Sequence, residues 1–531
     1  MEKKKTSFVQ GAAILGAAGL LVKIIGAFFR IPLANAIGPI GTSYYEVVYP
    51  YYSGLLVISS SGLPTAISKM VSERITAGDY RGAHKVFTTA MKLLICVGIV
   101  TGALMFFGSS ALASLSTLDK AHYSFKVLAP AMLVVSIMCA YRGYLQGMQR
   151  MGGTALSQVV EQVGKLAIGL TLAIKMMPMG PEFAAMGALI GVAVSELLAL
   201  VVIIIIYNRY RPAIRRRIEQ SEPYRPAPAL RNLILLAVPI TLGASISSLS
   251  GMVDSALIIR ILLKLGYSQD TAQTAYSLLR TNVTTLVNMP GVLTMALAMS
   301  LVPAISAAVA RRDRENVMNI SRLGLKLALI IGLPCAVGLF VLARPILAML
   351  YPVLTEAQLD LAADLMHTAS IGVIFLSLVQ SMTGVIQGLG KPNVPLFNLF
   401  IGFLLKVVSL LIMMNIPSIN IQGASVSTVI CYAFAGLSDT IYALRRARIQ
   451  LNVWDVVLKP LLSSLAMGGM VYLCYNFIAR MGHETMAVII SVFMGVCVYA
   501  VLAVYLKMFS KEELAYIPGG GKLRKLIYGI K

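Results

Sequence analysis

Gly11-Ala-Ala-Ile-Leu-Gly-Ala-Ala-Gly-Leu-Leu-Val-Lys23-Ile-Ile-Gly-Ala-Phe-Phe-Arg30 is apolar along almost its whole length, yet it carries two basic residues. About 20 apolar residues cross a hydrocarbon core of ~30 Å, so the stretch reads as a first membrane span. A charged side chain at mid-bilayer costs roughly 2.5 to 3.5 kcal/mol on insertion scales, so Lys23 is expected to face a polar interior or a ligand rather than lipid. Lys23 and Arg30 are about two helical turns apart and share one helix face about 10 Å long. They read as part of a cationic site for an anionic substrate.

The remainder of the chain repeats this pattern. Of its 531 residues 58% are apolar and 13% charged, and the mean hydropathy is +0.81. That is more apolar surface than a soluble chain can bury, and the chain reads as an all-α, polytopic membrane protein. Spans are centred near Gly19, Ile58, Val100, Val134, Ala167, Val194, Leu242, Leu286, Ile331, Phe375, Phe403, Ile430, Ala466 and Phe493, about fourteen in all. The second and eighth, with Ser59-Ser60-Ser61 and Asn282 to Asn288, are polar enough to line a cavity.

A net charge of +23 would suggest nucleic acid in a soluble protein. Here the basic residues collect in every second loop: Lys3-Lys4-Lys5, Arg74 to Lys85, Arg142 to Arg150, Arg209 to Arg231, Arg311 to Lys326, Lys391, Arg445 to Lys459, and the Lys507 to Lys531 tail. Positive-inside logic places those loops and both termini in the cytoplasm of a bacterial plasma membrane and excludes nucleic acid as a partner. An odd number of spans would break the pattern. Three lysines before an apolar run resemble a secretory leader, but no small-residue cleavage site ends a short core, so the first span is expected to remain uncleaved.

No enzyme constellation emerges. The six cysteines all fall in apolar spans and the four histidines are scattered without zinc spacing, so neither metal nor cofactor is expected. Gly519-Gly-Gly-Lys522 lacks the preceding strand and the Ser/Thr of a phosphate-binding loop. Lys522 to Lys531 reads as a basic amphipathic segment on the inner leaflet.

The two halves repeat in the same orientation. Gln146-Gly147-Met148 precedes Lys165 as Gln387-Gly388-Leu389 precedes Lys406; Leu63-Pro-Thr-Ala-Ile-Ser68 resembles Leu301-Val-Pro-Ala-Ile-Ser306; Met186-Gly187-Ala188 and Gln422-Gly423-Ala424 open the sixth and twelfth spans. The expected organisation is two parallel six-helix lobes, residues 1–208 and 232–446. A basic cytoplasmic linker at 209–231 joins them, and helices thirteen and fourteen (447–510) and a basic tail (511–531) follow. Parallel repeats place a substrate site between lobes that rock around it.

The six-plus-six-plus-two layout, Lys23-Ile-Ile-Gly26, Phe29-Arg30-Ile-Pro32, Asn35-Ala-Ile-Gly38 and Pro290-Gly-Val-Leu through Pro303-Ala-Ile-Ser306 resemble the multidrug/oligosaccharidyl-lipid/polysaccharide exporter superfamily. Within it, the chain is most similar to the polysaccharide-biosynthesis branch that contains stage V sporulation protein B and lipid II flippases. The resemblance implies alternating-access movement of an undecaprenyl-pyrophosphate-linked saccharide, most of all lipid II, from inner to outer leaflet. Lys23 matches a basic first-helix position of those flippases. Arg30 falls one residue past the next one, about 100° around the helix, and their basic second-span position lies near Gly54 here.

The candidate substrate-binding residues are Lys23, Arg30, Arg280, Glu46 and Tyr45, with Asp254 as ion-coupling residue for Na⁺ or H⁺. Lys23, Arg30 and Arg280 would form a three-point anion clamp, since a guanidinium holds phosphate oxygens bidentately. Blander readings stand beside these: Arg30 snorkelling to the interface, Lys23 paired with Glu46, and Asp254 merely balancing Arg280 or Arg260. Tyr44-Tyr45-Glu46-Val-Val-Tyr49-Pro50-Tyr51-Tyr52 is an interfacial aromatic belt or a cavity mouth. Glu161 and Lys165, one turn apart, make a self-neutralising pair or a substrate contact, and Glu196 and Asp439 are polar glue between helices.

Three function classes compete: a lipid-linked saccharide flippase, a multidrug/organic-cation antiporter, and a membrane-embedded polymerase. Antiporters for cations need cavity carboxylates, whereas the intramembrane charges here lean basic. A polymerase needs a large outer domain, and no outer loop is long enough. The expected protein is a monomeric secondary transporter, not an enzyme, with membrane lipids and an anionic lipid-linked saccharide as partners.

Overall fold

A corner at Gly38 joins the first two spans. The helix Glu2–Ser60 is broken there, where φ is 66° and ψ 178°, a region of backbone space that glycine alone enters cheaply. The computed structural model describes residues 2–60, 62–221, 229–510 and 513–515, with side chains undescribed at some of them. The side chains of Lys23, Ser59 and Ser60, the residue Ser61, the linker prolines Pro223, Pro226 and Pro228, and the Lys522–Lys531 tail lie outside what it describes. All fourteen span centres fall in helix, and no strand occurs among the described residues. Eleven of the described helical stretches are long and apolar enough to cross a membrane. Their apolar side chains face outward, as at Phe28, Val408 and Phe493, while Ser136, Ser377 and Ser381 are buried. That inside-out polarity suits a lipid solvent.

The chain divides into two compact units, residues 1–277 and 278–531. In the first, spans two, three, four and six share a core around Ile67, Phe87, Leu94, Met138, Tyr144 and Ile203. In the second, spans eight, nine, ten and twelve share one around Ile305, Leu325, Met382, Val385 and Ala443.

The internal repeat extends to single hydrogen bonds. After Gln146-Gly147, the amides of Met148, Gln149 and Arg150 donate to Tyr144, Gln146 and Leu145 carbonyls; after Gln387-Gly388, those of Leu389, Gly390 and Lys391 donate to Val385, Gln387 and Ile386. The turns at Gly78-Asp79 and Arg312-Asp313 match in the same way, each aspartate capping the next helix. One residue of each turn has positive φ: Gly78 and Arg312 in one pair, Gln149 and Gly390 in the other. Small residues recur at the close approaches too. Gly98 faces Ser136 and Gly332 faces Ser377; Gly147 abuts Ser68 and Val71, and Gly388 abuts Val302 and Ile305.

Helix ends depart from the loop boundaries read in the sequence. The sixth-span helix runs from Pro181 to Glu219, so the first part of the expected linker is helical. Arg142 lies within the helix His122–Gly147, and Lys326 lies within Arg314–Val341 with no exposure. Arginine and lysine are good helix formers, so basic clusters mark the side of the membrane without ending a helix. Three helices also carry a π turn: Lys165–Gly169 in the fifth span, Leu278–Val283 in the eighth, and Trp454–Leu458 before the thirteenth.

Candidate functional site

Arg30 sits two turns before the Gly38 corner and Glu46 two turns after it, so the fold back at the corner brings them together. Arg30 Nη1 is 3.1 Å from Glu46 Oε1, with the arginine side chain 26% exposed and the glutamate 1%. The backbone beyond the corner is fastened: Thr42 Oγ1 donates to the Gly38 carbonyl (2.8 Å), Ser43 Oγ to Gln273 Oε1 (3.1 Å), and Tyr276 Oη to the Glu46 carbonyl (2.9 Å). A carboxylate this deeply buried needs a cation partner, and Arg30 supplies it. Arg30 is therefore held inward by an ion pair and does not snorkel to the interface, the blander of its two readings.

The tyrosines are turned inward as well. Tyr44, Tyr45, Tyr51 and Tyr52 are buried, which corrects the reading of this stretch as a lipid-facing aromatic belt. Tyr45 meets Phe29 edge-on at 6.2 Å and stacks on Tyr49 at 5.4 Å, and Tyr49 lies 6.0 Å from Tyr52. Phase along a helix separates two faces, but membrane cores and lipid are both apolar, so periodicity did not show which face was inside.

Behind the tyrosines lies a set of charges of which sequence reasoning joined only Glu161 and Lys165. Lys165, buried at the start of its π turn, places Nζ 5.7 Å from the centroid of the Tyr49 ring, within cation–π range. Tyr52 Oη donates to Glu196 Oε1 at 3.4 Å. Glu161 does not pair with Lys165 as its spacing suggests: Arg142 Nη2 donates to Glu161 Oε2 (3.0 Å) and Arg142 Nε to Ser157 Oγ (2.9 Å). The signal for this network was a Lys, two Glu and an Arg inside or beside apolar runs. Spacing along one helix could not reveal partners on others.

The other candidates are placed as follows. Asp254 is buried on the helix Ala229–Lys264. Its neighbour Ser255 donates to the Val47 carbonyl at 2.9 Å, so Asp254 sits where the seventh span meets the second, one residue beyond Glu46. Arg260 donates to the Ser114 carbonyl (3.2 Å). Arg280 lies in the second unit, half-buried on the π turn Leu278–Val283. π turns often occur at functional positions. Asp439 accepts from Asn398 Nδ2 at 2.7 Å, joining spans eleven and twelve as polar glue. Among the described residues no His, Cys, Asp and Glu gather into a metal-binding group.

The first unit thus places an ion pair, stacked tyrosines and a buried lysine–glutamate network inside membrane-spanning helices. Known proteins share this frame. The polysaccharide biosynthesis protein family matches residues 8–309, more than half of the chain. The chain belongs to that family. The MatE family also matches, over residues 239–412. Among curated relatives, "Stage V sporulation protein B" of Bacillus subtilis is 24% identical over 98% of this chain and 99% of its own length. "Lipid II flippase MurJ" of Bacillus subtilis is 25% identical over 83% of each. Among solved structures, "Lipid II flippase MurJ, inward closed conformation" superposes with a TM-score of 0.71 at 16% identity, covering 93% of this chain and 98% of that one. An inward-facing multidrug resistance MATE family transporter gives 0.65 at 16% identity, covering 81% and 94%. This polysaccharide biosynthesis family member is a multi-pass membrane transporter of the multidrug/oligosaccharidyl-lipid/polysaccharide exporter superfamily.

Proposed function

We propose that this transporter is a flippase that carries an undecaprenyl-pyrophosphate-linked saccharide, in the first place lipid II, from the inner to the outer leaflet of a bacterial plasma membrane. It would work through fourteen crossings with both termini in the cytoplasm, as a monomer and without enzymatic chemistry. The observation that carries the reading is Arg30: a half-buried guanidinium inside a membrane helix, steadied by the buried carboxylate of Glu46. A guanidinium is always charged, and its planar fork of donors matches diphosphate oxygens. Lys23, two turns earlier on the same helix face, and Arg280 would complete the anion clamp, with Tyr45 fixing the rung on which Glu46 stands. Asp254 would bind the coupling Na⁺ or H⁺.

The test is complementation of a bacterium depleted of its lipid II flippase, together with mass spectrometry of lipids bound to the purified transporter. Arg30→Ala, Lys23→Ala and Arg280→Ala are expected to abolish growth rescue, compared at matched protein level. Arg30→Ala is also tested together with Glu46→Gln, so that no carboxylate is stranded. Polyprenyl diphosphate species are expected among the bound lipids. Rescue by all three variants, with bulk phospholipid alone recovered, overturns the reading. The MatE match over residues 239–412 favours a second reading, an organic-cation antiporter. That reading predicts cation efflux that Asp254→Asn abolishes and Arg30→Ala leaves intact.

A further inference from the structure

The sixth-span helix is longer than the bilayer needs. From Phe183 to Tyr207 its sequence is apolar apart from Ser195 and Glu196, about 37 Å of helix, enough for a ~30 Å core. The helix then continues unbroken to Glu219, roughly 18 Å further. This extension is built with two faces. Tyr207 and Ile214 are buried, and Tyr210 and Ile218 pack with them against the core of the first unit. Its end is tied down by Arg81 Nε donating to the Ile218 carbonyl (3.0 Å) and by Ser221 Oγ donating to the Gly78 carbonyl (3.2 Å). Around the rest of its circumference, Arg209, Arg211, Arg215, Arg216 and Arg217 are all exposed.

Two of the five are engaged locally: Arg215 pairs with Glu219 at 3.0 Å, and Arg217 lies over the Tyr80 ring at 5.6 Å. Arg209 and Arg216, two turns apart, point directly away from the packed face, and Arg211, exposed at the edge of that face, stands near Tyr141 and Tyr207. Arg209 and Arg211 follow the last apolar turn immediately, which puts their guanidinium groups in the headgroup layer, where the anions within reach are lipid phosphates. We infer that the Asn208–Glu219 extension is a docking surface for anionic phospholipid headgroups in the leaflet on the basic-loop side, with Arg209, Arg211 and Arg216 as the phosphate contacts. Bound there, the lipids set the depth at which the sixth span leaves the membrane and the interlobe linker begins.

The test uses full-length transporter in dodecylmaltoside, with dioleoylphosphatidylglycerol or dioleoylphosphatidylcholine titrated in and bound lipid counted by native mass spectrometry. Wild type is expected to bind the glycerol lipid at least tenfold more tightly than the choline lipid. R209Q/R211Q/R216Q is expected to lose at least tenfold in phosphatidylglycerol affinity with phosphatidylcholine binding unchanged. N208E/A213E, which adds acid to the same face and deletes no arginine, is expected to do the same and serves if the triple variant does not fold. R445Q/R446Q/R448Q, removing equal charge at the end of the twelfth span, is expected to bind like wild type. Undiminished phosphatidylglycerol binding in both extension variants overturns the inference, as does an equal loss in the twelfth-span control, which would mean net charge alone. Competition by millimolar inorganic phosphate overturns it too, since the surface would then be a soluble-anion site.

Discussion

At the scale of single residues, backbone conformation makes the sharpest claims. Gly38 has open space around its Cα, so a methyl group there would meet nothing, and its cost is purely conformational. Gly38→Ala is expected to destabilise the transporter by about 1–3 kcal/mol, measured by thermal unfolding in detergent; an unchanged midpoint would mean that the corner tolerates an ordinary residue. Gln149 is the reverse case, a side chain in the left-handed conformation that its repeat partner Gly390 occupies without strain. The left-handed well costs a non-glycine residue roughly 1–2 kcal/mol, and glycine gives back ~0.5–1 kcal/mol in unfolded-chain entropy. Gln149→Gly should therefore stabilise by about 0.5–1 kcal/mol, seen as a raised unfolding midpoint. The Gly38 turn was visible in the sequence as part of Asn35-Ala-Ile-Gly38, but the strained Gln149 was not, because nothing in its residue type announces it. The same limit applies to charges: Arg30 and Glu46 stood out as intramembrane ions, whereas their pairing depends on the corner between them.

Among elements, the last two helices are held to the rest of the second unit by a buried charge node. Lys326, with no exposure, donates to Asp455 Oδ2 at 2.5 Å and to Glu513 Oε2 at 2.9 Å; Lys459 also reaches Asp455 (2.8 Å), and Arg322 lies 3.7 Å from Glu513. The node ties the ninth-span helix to the start of the thirteenth and to the segment after the fourteenth. Removing one partner of a buried pair costs about 3–5 kcal/mol, chiefly because the other ion is stranded, whereas removing both is far cheaper. Lys326→Met should thus destabilise strongly and speed amide exchange in Glu484–Tyr505, while Lys326→Met with Glu513→Gln should recover much of the loss. Equal exchange in wild type and Lys326→Met would mean that apolar packing alone secures these helices. Sequence reasoning placed Lys326 in a basic cytoplasmic loop. Hydropathy located the spans well because apolar length is a property of one helix, but the depth of a lysine near a helix end depends on which acids its neighbours present.

For the whole molecule, the repeat is the feature that sequence carried furthest. Three short matches predicted like-oriented halves, and the turns at Gln149 and Gly390 and at Gly78 and Arg312 reproduce one another bond for bond. Two repeats can share an orientation only if each crosses the membrane an even number of times, so on the proposed parallel organisation both of these turn types lie on one side. The turn at Ser268 and the loop at Lys120, each one crossing away, must lie on the other. On the proposed topology, the concentration of Lys and Arg would put the first side in the cytoplasm. In a variant lacking the native cysteines, Ser268→Cys and Lys120→Cys should react with a membrane-impermeant maleimide in intact cells. Ala77→Cys and Lys391→Cys should react only after permeabilisation. Labelling of Ser268→Cys and Lys391→Cys from the same side would break the repeat, and outside labelling of Ala77→Cys would invert the proposed topology and with it the proposed direction of transport.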